Sequence, residues 1–396
     1  MRSRRRKPVR SRVKIALLVF LVVLLGVGLV RAGKFIPVLW DLLFKKEIQL
    51  SQQKAPDQPV NILLLGVGGG NHDGPDLTDT IIFASIDPEK NRVTLVSIPR
   101  DMWVPDLKAK INTAYTFAEQ KEEGNGLKAT KLLVSNMLGQ QIDYSVKIDF
   151  NGFVKAVDMT GGLDIDVENT FDDYEYPLSG FEADPCGLSE EKIASLSAEI
   201  ASGSATPVDA FPCRYEQLHF DRGPQKMDGE TALKYVRSRH GTGKEGSDFA
   251  RSKRQEKVIS AFKDKMLSAE TFLNPVKLVN LMDVLADSIR TDIKEDEYDD
   301  FVKLAKKMEG AKMNSAVLDV GDVSEERYGL LENPGISPEY RNQWVLSPRA
   351  GNGEYRELKK YVACQIKGEN CMIGRLGNVV TPTPTPTPRV TKAVGN

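Results

Sequence analysis

The chain has 396 residues, of which 41% are hydrophobic and 28% are charged, which is enough for one large domain or two modest ones and excludes a wholly disordered chain. Its 54 Lys and Arg nearly balance its 55 Asp and Glu, and the formal net charge of -1 excludes a strongly basic nucleic-acid binder or a strongly acidic chain. The charge is unevenly distributed, however. Residues 1–14 carry eight basic side chains and no acid, which leaves -9 for the remainder.

The basic segment precedes an apolar one. The segment from Ile15 to Val30 contains sixteen residues without a charge. A membrane-spanning helix needs roughly 20 apolar residues, and snorkelling of the flanking Lys14, Arg31 and Lys34 can make up the missing length. These features predict a signal-anchor helix over 15–33, a cytoplasmic segment at 1–14 and an extracytoplasmic body, and hence a single-pass protein of the cell membrane. A cleavable signal peptide is the alternative, and it also exports the body.

After a polar linker at 34–58, strands and helices alternate along the chain. The pattern predicts strands at 61–65, 80–86, 92–98, 146–150, 163–167, 316–320 and 343–346, and helices at 127–138, 229–237, 249–266, 275–289 and 295–308. Such interleaving indicates an α/β or α+β domain, placed here at 59–372. The Thr-Pro repeat in 373–396 predicts an extended, disordered tail.

The four cysteines form two local pairs. Cys186 and Cys213 belong to an acidic insertion at about 171–218 without clear periodicity, and Cys364 and Cys371 follow near the end of the domain. An oxidising compartment would permit two disulfides, and four unpaired thiols remain the alternative. The spacings do not form a zinc pattern.

A glycine cluster at 66–70 follows the first predicted strand. The next nine residues cannot hold a crossover helix and no Gly-Lys-Ser/Thr follows, so neither a dinucleotide-binding nor a P-loop motif is present. What remains is a loop with Asp73, Asp76 and Asp79, carboxylates of the kind that hold Mg²⁺, although a solvated acidic turn is the alternative.

Two helices near 228–266 carry the strongest chemical pattern. Asp228 can cap the first helix, whose end presents Arg237 and Arg239, and a Gly-rich loop leads to a second helix that starts near Asp248. At 100° per residue, one face of the second helix contains Arg251, Gln255, Val258, Phe262 and Met266.

An arginine on a buried stripe needs an anion, and its planar donors match a carboxylate or a phosphate. An internal pair of Arg251 with Asp248 is the alternative, but it leaves Arg237 and Arg239 without partners. Several arginines, acidic metal ligands and nearby apolar surface together suit a pyrophosphate attached to an apolar group.

Seven segments of the chain resemble the LytR-CpsA-Psr (LCP) family, over about 60–285. They are Asn61-Ile-Leu-Leu-Leu-Gly66, Leu77-Thr-Asp-Thr80, Ser97-Ile-Pro-Arg-Asp101, Lys110-Ile-Asn112, Gly161-Gly162, the segment from Met227 to Arg239 with its Arg-Ser-Arg end, and the segment from Ser247 to Gln255.

The resemblance implies a three-layer α/β/α domain with a central mixed sheet and a hydrophobic tunnel for a polyprenyl chain, behind one N-terminal transmembrane helix. It also implies transfer of a glycopolymer from a polyprenyl-pyrophosphate carrier to peptidoglycan or another cell-wall acceptor. Mg²⁺ would assist this phosphoryl transfer, with Mn²⁺ as a possible substitute.

Roles for individual residues also follow from the resemblance. Arg100, Arg237 and Arg239 would act in catalysis and, with Arg251 and Gln255, would hold the pyrophosphate. Asp248 would orient the arginines or assist catalysis.

The metal site departs from the family pattern. Asp79 would bind the metal, but Gly68 stands where the family usually has a second carboxylate. Asp73 is the expected substitute, with Asp76 next.

Two other functions compete with the transferase. The same arginines would suit an envelope lipid or nucleotide pyrophosphatase that uses water as acceptor. A non-catalytic regulatory or glycan-binding envelope protein is a further alternative, although a sugar-binding surface favours exposed aromatic residues and only 7% of the residues are aromatic. Binding of nucleic acid is not expected, because topology already accounts for the basic segment.

Overall fold

The structure is a computed structural model that describes residues 50, 58–70, 74–267, 288–322, 326–377 and 379–380. The predicted cytoplasmic segment, signal anchor and Asp73 lie outside these ranges, as do almost all of the linker and most of the Thr-Pro tail. No helix within the described ranges is both long enough and apolar enough to cross a membrane. The chain divides into two compact units, and the smaller one contains, of the described residues, Leu50 and 294–306.

The strands, in chain order, are β1 (Val60–Val67), β2 (Thr78–Asp87), β3 (Arg92–Ser97), β4 (Trp103–Val104), β5 (Ala109–Lys110), β6 (Tyr144–Asp149), β7 (Leu163–Val167), β8 (Phe171–Pro177), β9 (Tyr215–Phe220), β10 (Gly223–Met227), β11 (Ile289–Thr291), β12 (Lys312–Val317), β13 (Gly321–Asp322), β14 (Arg327–Tyr328), β15 (Leu331–Glu332), β16 (Ser347–Pro348), β17 (Met372–Ile373) and β18 (Val379–Val380). The α-helices are α1 (Ala114–Lys121), α2 (Gly126–Leu138), α3 (Phe150–Met159), α4 (Glu190–Ser202), α5 (Pro207–Ala210), α6 (Gly229–Arg237), α7 (Asp248–Leu267), α8 (Tyr298–Lys307) and α9 (Arg356–Lys367).

Six strands form the central sheet, in the order β11-β6-β1-β2-β3-β12. The pairs β1–β6 and β3–β12 are parallel, whereas β1–β2, β2–β3 and β6–β11 are antiparallel. The predicted central mixed sheet is therefore confirmed. Because β1, β3, β6 and β12 all point the same way, their carboxyl ends meet at one edge, which is where open α/β sheets usually bind ligands.

The hydrophobic core explains why the apolar runs form these strands. Alternate residues of β1 to β3, including Leu63, Leu65, Phe83 and Val96, form one buried cluster with side chains of α2 and α9. A second cluster joins β7 to β10 with α3, α6 and α7. Helix α7 contacts both β12 and β7, and thereby lies between the sheet and the second cluster.

From residue 171 onward the sequence prediction differs from the structure at several places, including the following three. The insertion contains the antiparallel pair β8–β9 as well as α4 and α5, although its sequence showed no periodicity. Residues 343–346 form no strand, and only Leu346 makes a single bridge, to Met102. Of the predicted helix at 275–289, residues 275–287 lie outside the described ranges, and Ile289 begins β11.

Both cysteine pairs form disulfides, Cys186–Cys213 and Cys364–Cys371, so the alternative of four unpaired thiols is wrong. The first bridge ties the insertion together between β8 and β9. The second joins the end of α9 to the segment before β17.

Candidate functional site

The candidate site lies at the carboxyl edge of the parallel strands. Strand β3 ends at Ser97, and the following turn places Arg100 beside Asp79, near the start of β2. Arg100 Nη1 donates to Asp79 Oδ1 at 2.5 Å, and Arg100 Nε lies 3.6 Å from Asp101 Oδ2. Burial opposes the charge of Arg100, but the two carboxylates outweigh this effect and raise the pKa of Arg100 above its ordinary value.

The Lys110-Ile-Asn112 motif holds this turn in place. Lys110 Nζ donates to Asp101 Oδ1 at 2.7 Å, and the Asn112 backbone N–H donates to the Arg100 carbonyl at 3.3 Å. The sequence had singled out this motif without a role. Its contacts identify it as the support of the Arg100 turn.

Helix α6 presents the two arginines of the Arg-Ser-Arg segment. As predicted, Asp228 caps the helix, accepting a 2.8 Å hydrogen bond from the Thr231 N–H, and hydrogen bonds from the Thr231 side chain and backbone lower the pKa of Asp228. At the other end, the Arg237 guanidinium lies 4.2 Å from the ring centroid of Phe150 and donates to the Tyr176 hydroxyl at 3.2 Å.

Arg239 differs from its neighbours because its guanidinium has no partner among the described residues. Its side chain is half-buried, and no described side chain or carbonyl accepts a hydrogen bond from its guanidinium. Burial, followed by the positive charges of Arg251 and Arg100, lowers the pKa of Arg239 to about 10, against the weaker opposing effect of Asp79 and Asp101. At neutral pH this arginine is therefore charged but poorly compensated, as expected for a group that binds an anion.

Helix α7 supplies the opposite wall of the site. Half-buried Arg251 and Gln255 lie one helical turn apart and face the ends of β2 and β3. Gln255 Oε1 accepts from Ser97 Oγ at 3.5 Å, and Ser252 Oγ lies 3.0 Å from the same hydroxyl. These contacts dock the helix onto the end of β3 and leave the Gln255 amide protons without a described partner.

A cavity of about 330 Å³ brings these elements together. Six of the predicted site residues line it: Asp79, Arg100, Arg237, Arg239, Arg251 and Gln255. The side chains that the sequence pattern associated with pyrophosphate binding thus surround one space, although they come from three separate parts of the chain.

A smaller pocket adjoins this cavity and shares Asp79, Arg100, Arg251 and Gln255 with it. Its lining also includes the apolar residues Ile81, Ile98 and Val317. Charged and apolar side chains therefore line the same small pocket.

The remaining predicted site residues are less well placed to bind a substrate or a metal, or they belong to the part of the chain that the structure does not describe. Helix α7 begins at Asp248, whose side chain is not among those described. Asp76 is a half-buried residue paired with Lys147 at 3.0 Å, and Asp73 lies outside the described ranges. For a metal, the described chain thus offers Asp79, whose Oδ2 has no described partner.

A single partly exposed carboxylate suits Mg²⁺, which commonly keeps several waters and takes further ligands from a substrate phosphate. The donor chemistry of Asp79 therefore fits this ion.

The sequence analysis missed Arg254, the most buried arginine of α7. Its guanidinium donates to the Glu245 carboxylate at 2.7 Å and to the carbonyls of Tyr235, Ser238 and Glu245 at 2.7 to 2.9 Å. Arg254 therefore forms an internal ion pair with Glu245, whereas the pair considered for Arg251 involves Asp248, whose side chain is not among those described. The four-residue spacing between Arg254 and buried Val258 could have indicated it.

Comparison with known proteins identifies similar sequences and folds. Residues 43–331 match the sequence model of the LytR_cpsA_psr family. One relative is the polyisoprenyl-teichoic acid–peptidoglycan teichoic acid transferase TagV of Bacillus subtilis. The two sequences are 28% identical over a region that covers 60% of this chain and 50% of TagV. This chain thus spans about half the length of that relative. It is 27% identical to the corresponding TagU of Oceanobacillus iheyensis, over 72% of this chain and 73% of the relative.

A solved structure supports the same conclusion about the fold. The X-ray structure of the Lin1025 protein from Listeria innocua matches with a TM-score of 0.50 and 20% identity, covering 78% of this chain and 98% of that chain. At this level of identity the likeness concerns the fold alone.

Proposed function

The chain belongs to the LytR_cpsA_psr family, and we propose on that premise that it transfers a glycopolymer from a polyprenyl-pyrophosphate carrier to peptidoglycan or another cell-wall acceptor. The names of the relatives TagV and TagU, which describe transfer of teichoic acid from a polyisoprenyl carrier to peptidoglycan, support this reaction class.

The observation that carries the proposal is Arg239. Its half-buried guanidinium has no described partner, faces the charges of Arg100 and Arg251, and lines the 330 Å³ cavity. Three like charges around one space destabilise the empty site, and a pyrophosphate would turn this repulsion into attraction.

The other residues receive roles from their positions. Arg237 and Gln255 border the same cavity and would donate to the phosphate oxygens, while Arg251 and Arg100 neutralise charge on the leaving phosphate. The polyprenyl chain would begin beside the apolar side chains of Ile81 and Val317 and continue into a hydrophobic tunnel.

Mg²⁺, with Mn²⁺ as a possible substitute, is the metal that we propose for the reaction. Asp79 would hold it through Oδ2, while its Oδ1 keeps Arg100 in place. When bound, the ion supplies positive charge to the phosphate oxygens. Asp73 would be a second ligand, and Asp248 would orient the arginines.

A reconstituted reaction tests the proposal. Full-length protein in phospholipid vesicles is supplied with a disaccharide linked to a short polyprenyl pyrophosphate, peptidoglycan fragments and Mg²⁺, and the products are identified by mass spectrometry. We expect a glycan-phosphate bond on the fragments and release of the polyprenyl phosphate.

The products also separate the competing functions. Polyprenyl phosphate with free glycan phosphate, and no modified fragment, would show a pyrophosphatase. If neither cleavage nor attachment occurs under these conditions, while the protein still binds the donor, the transferase proposal is wrong and a non-catalytic role is favoured.

A further inference from the structure

The turn after α6 contains a buried carboxylate that orders its backbone. Asp173, fully buried on β8, accepts hydrogen bonds at Oδ2 from the Ser238 hydroxyl at 2.6 Å, the Arg239 N–H at 3.1 Å and the His240 N–H at 3.2 Å. Its Oδ1 accepts from the Glu175 N–H at 3.0 Å. One side chain thus fixes the positions of Arg239, His240 and Glu175 relative to one another.

Two of the residues held in this way form a pair at the edge of the cavity. His240 Nδ1 lies 3.5 Å from Glu175 Oε2, and both residues line the same 330 Å³ space as Arg239. The separation is longer than a hydrogen bond, but catalytic hydrogen bonds are often long in sites without substrate and tighten when it binds. No described group contacts Nε2, the other ring nitrogen.

We propose that His240 is the general base that takes the proton from the acceptor hydroxyl, and that Glu175 and Asp173 are its positioning residues. This inference rests on the proposed transferase function. Glu175 would accept a hydrogen bond from Nδ1–H, so that Nε2 is unprotonated and faces the cavity. The arginines and His240 would then divide the reaction between them, because the arginines bind the donor and His240 activates the acceptor.

The step balances in atoms and charge. The acceptor oxygen forms a bond to the phosphorus that carries the glycan, and its proton moves to His240 Nε2. The bond from that phosphorus to the bridging oxygen breaks, and its electron pair remains on the polyprenyl phosphate, whose charge Arg100 and Arg251 would compensate. The imidazolium then returns its proton to solvent.

Charged groups of both signs line the cavity around His240. The acids are Asp79, Asp173, Glu175 and Glu182, and the bases are Arg100, Arg237, Arg239 and Arg251. Of these groups, Glu175 is the one that lies against the imidazole of His240, at 3.5 Å from Nδ1.

The chain offers a matched control in His219. This histidine lies on β9, contacts Asp172 at 2.9 Å and Asp221 at 3.2 Å, and is about as exposed as His240 (51% against 56%), yet it does not line the cavity. It reproduces the histidine–carboxylate pair without access to the substrates.

The test compares His240→Gln, Glu175→Gln and His219→Gln in full-length protein with the same donor and peptidoglycan fragments. We expect His240→Gln to lower the transfer rate by about 10²-fold, the lower end of general-base contributions, and to remove the acidic limb of the pH–rate profile. Glu175→Gln should lower kcat by about tenfold, within the range of a lost orienting partner, and leave the KM for the donor unchanged. His219→Gln should keep the wild-type rate and profile.

A rescue experiment separates chemistry from structure. Added imidazole should restore activity to His240→Ala, while both His240 variants keep the wild-type affinity for the donor. Wild-type rates in His240→Gln, or a reduced rate that keeps its acidic limb and does not respond to imidazole, would overturn the assignment. Absence of transfer by the wild-type protein would instead refute the proposed function, so the two failures are distinguishable.

Discussion

Two arginines near helix α7 occupy opposite environments. Arg254, only 2% exposed, donates to one carboxylate and three backbone carbonyls, whereas half-buried Arg239 has no described hydrogen-bond acceptor. Burial lowers the pKa of both, but Glu245 opposes this effect at Arg254, while Arg251 and Arg100 add to it at Arg239.

The difference shows how to separate a structural arginine from a binding one. Arg254 joins the start of α7 to the end of α6 through Tyr235 and Ser238, and every partner is already present in the protein. Arg239 has the electrostatic cost of burial without that compensation. Stability should therefore depend on the first, and substrate binding on the second.

The largest effect should come from Arg239→Met. Loss of the guanidinium should lower the transfer rate by about 10³-fold, the upper range for removing one donor to transition-state charge. Since the substitution also relieves repulsion among like charges, thermal unfolding should occur at the same or a higher temperature. Arg356→Met, at an exposed arginine, is the control. A full rate in Arg239→Met would place the donor elsewhere.

Arg254→Met should show the reverse pattern. It leaves the Glu245 carboxylate and three carbonyls without their donor, and loss of one partner of a buried ion pair costs about 3–5 kcal/mol of unfolding free energy. Urea denaturation measures this loss. Adding Glu245→Gln should recover part of it, since no unpaired charge remains. Equal stability of Arg254→Met and the wild type would contradict the structural role.

A similar contrast, between local sequence patterns and contacts that form only on folding, explains which features the sequence could predict. Strands β1, β2, β3 and β6 of the central sheet and helices α6 and α7 were predictable because apolar periodicity and the Asp228 cap are local signals. Strand β8 was missed because it contains Asp173, whose burial makes sense only once the turn at Ser238 donates to it. Arg254 was missed for a similar reason, since its four acceptors come from segments that meet only in the folded chain.

Asp79→Asn should change the response to metal more than the fold. The amide keeps an oxygen for Arg100 but loses the negative charge that would attract Mg²⁺, so half-maximal activity should need on the order of tenfold more Mg²⁺. Titration of activity with Mg²⁺ measures the shift. Asp76→Asn is the comparison, because Asp76 pairs with Lys147. Identical titrations for Asp79→Asn and the wild type would remove Asp79 from the metal site.

The smallest effect should come from Phe150→Leu. Its ring lies 4.2 Å from the Arg237 guanidinium, and a cation–π contact of about 0.5–1 kcal/mol corresponds to a roughly two- to fivefold rise in KM for the donor. The value of kcat should change little. Phe117→Leu, at an exposed phenylalanine of α1, should leave both constants unchanged. A loss confined to kcat would show that Phe150 does not act through donor binding.

The most direct test of the arginine site is equilibrium binding, measured by calorimetry with farnesyl pyrophosphate and farnesyl phosphate. The wild-type protein and Arg254→Met, under conditions where the variant is folded, should both prefer the pyrophosphate. Arg239→Met should lose that preference while retaining its fold. If Arg239→Met binds farnesyl pyrophosphate as tightly as the wild type does, the unpartnered arginine does not hold the donor, and the account is wrong.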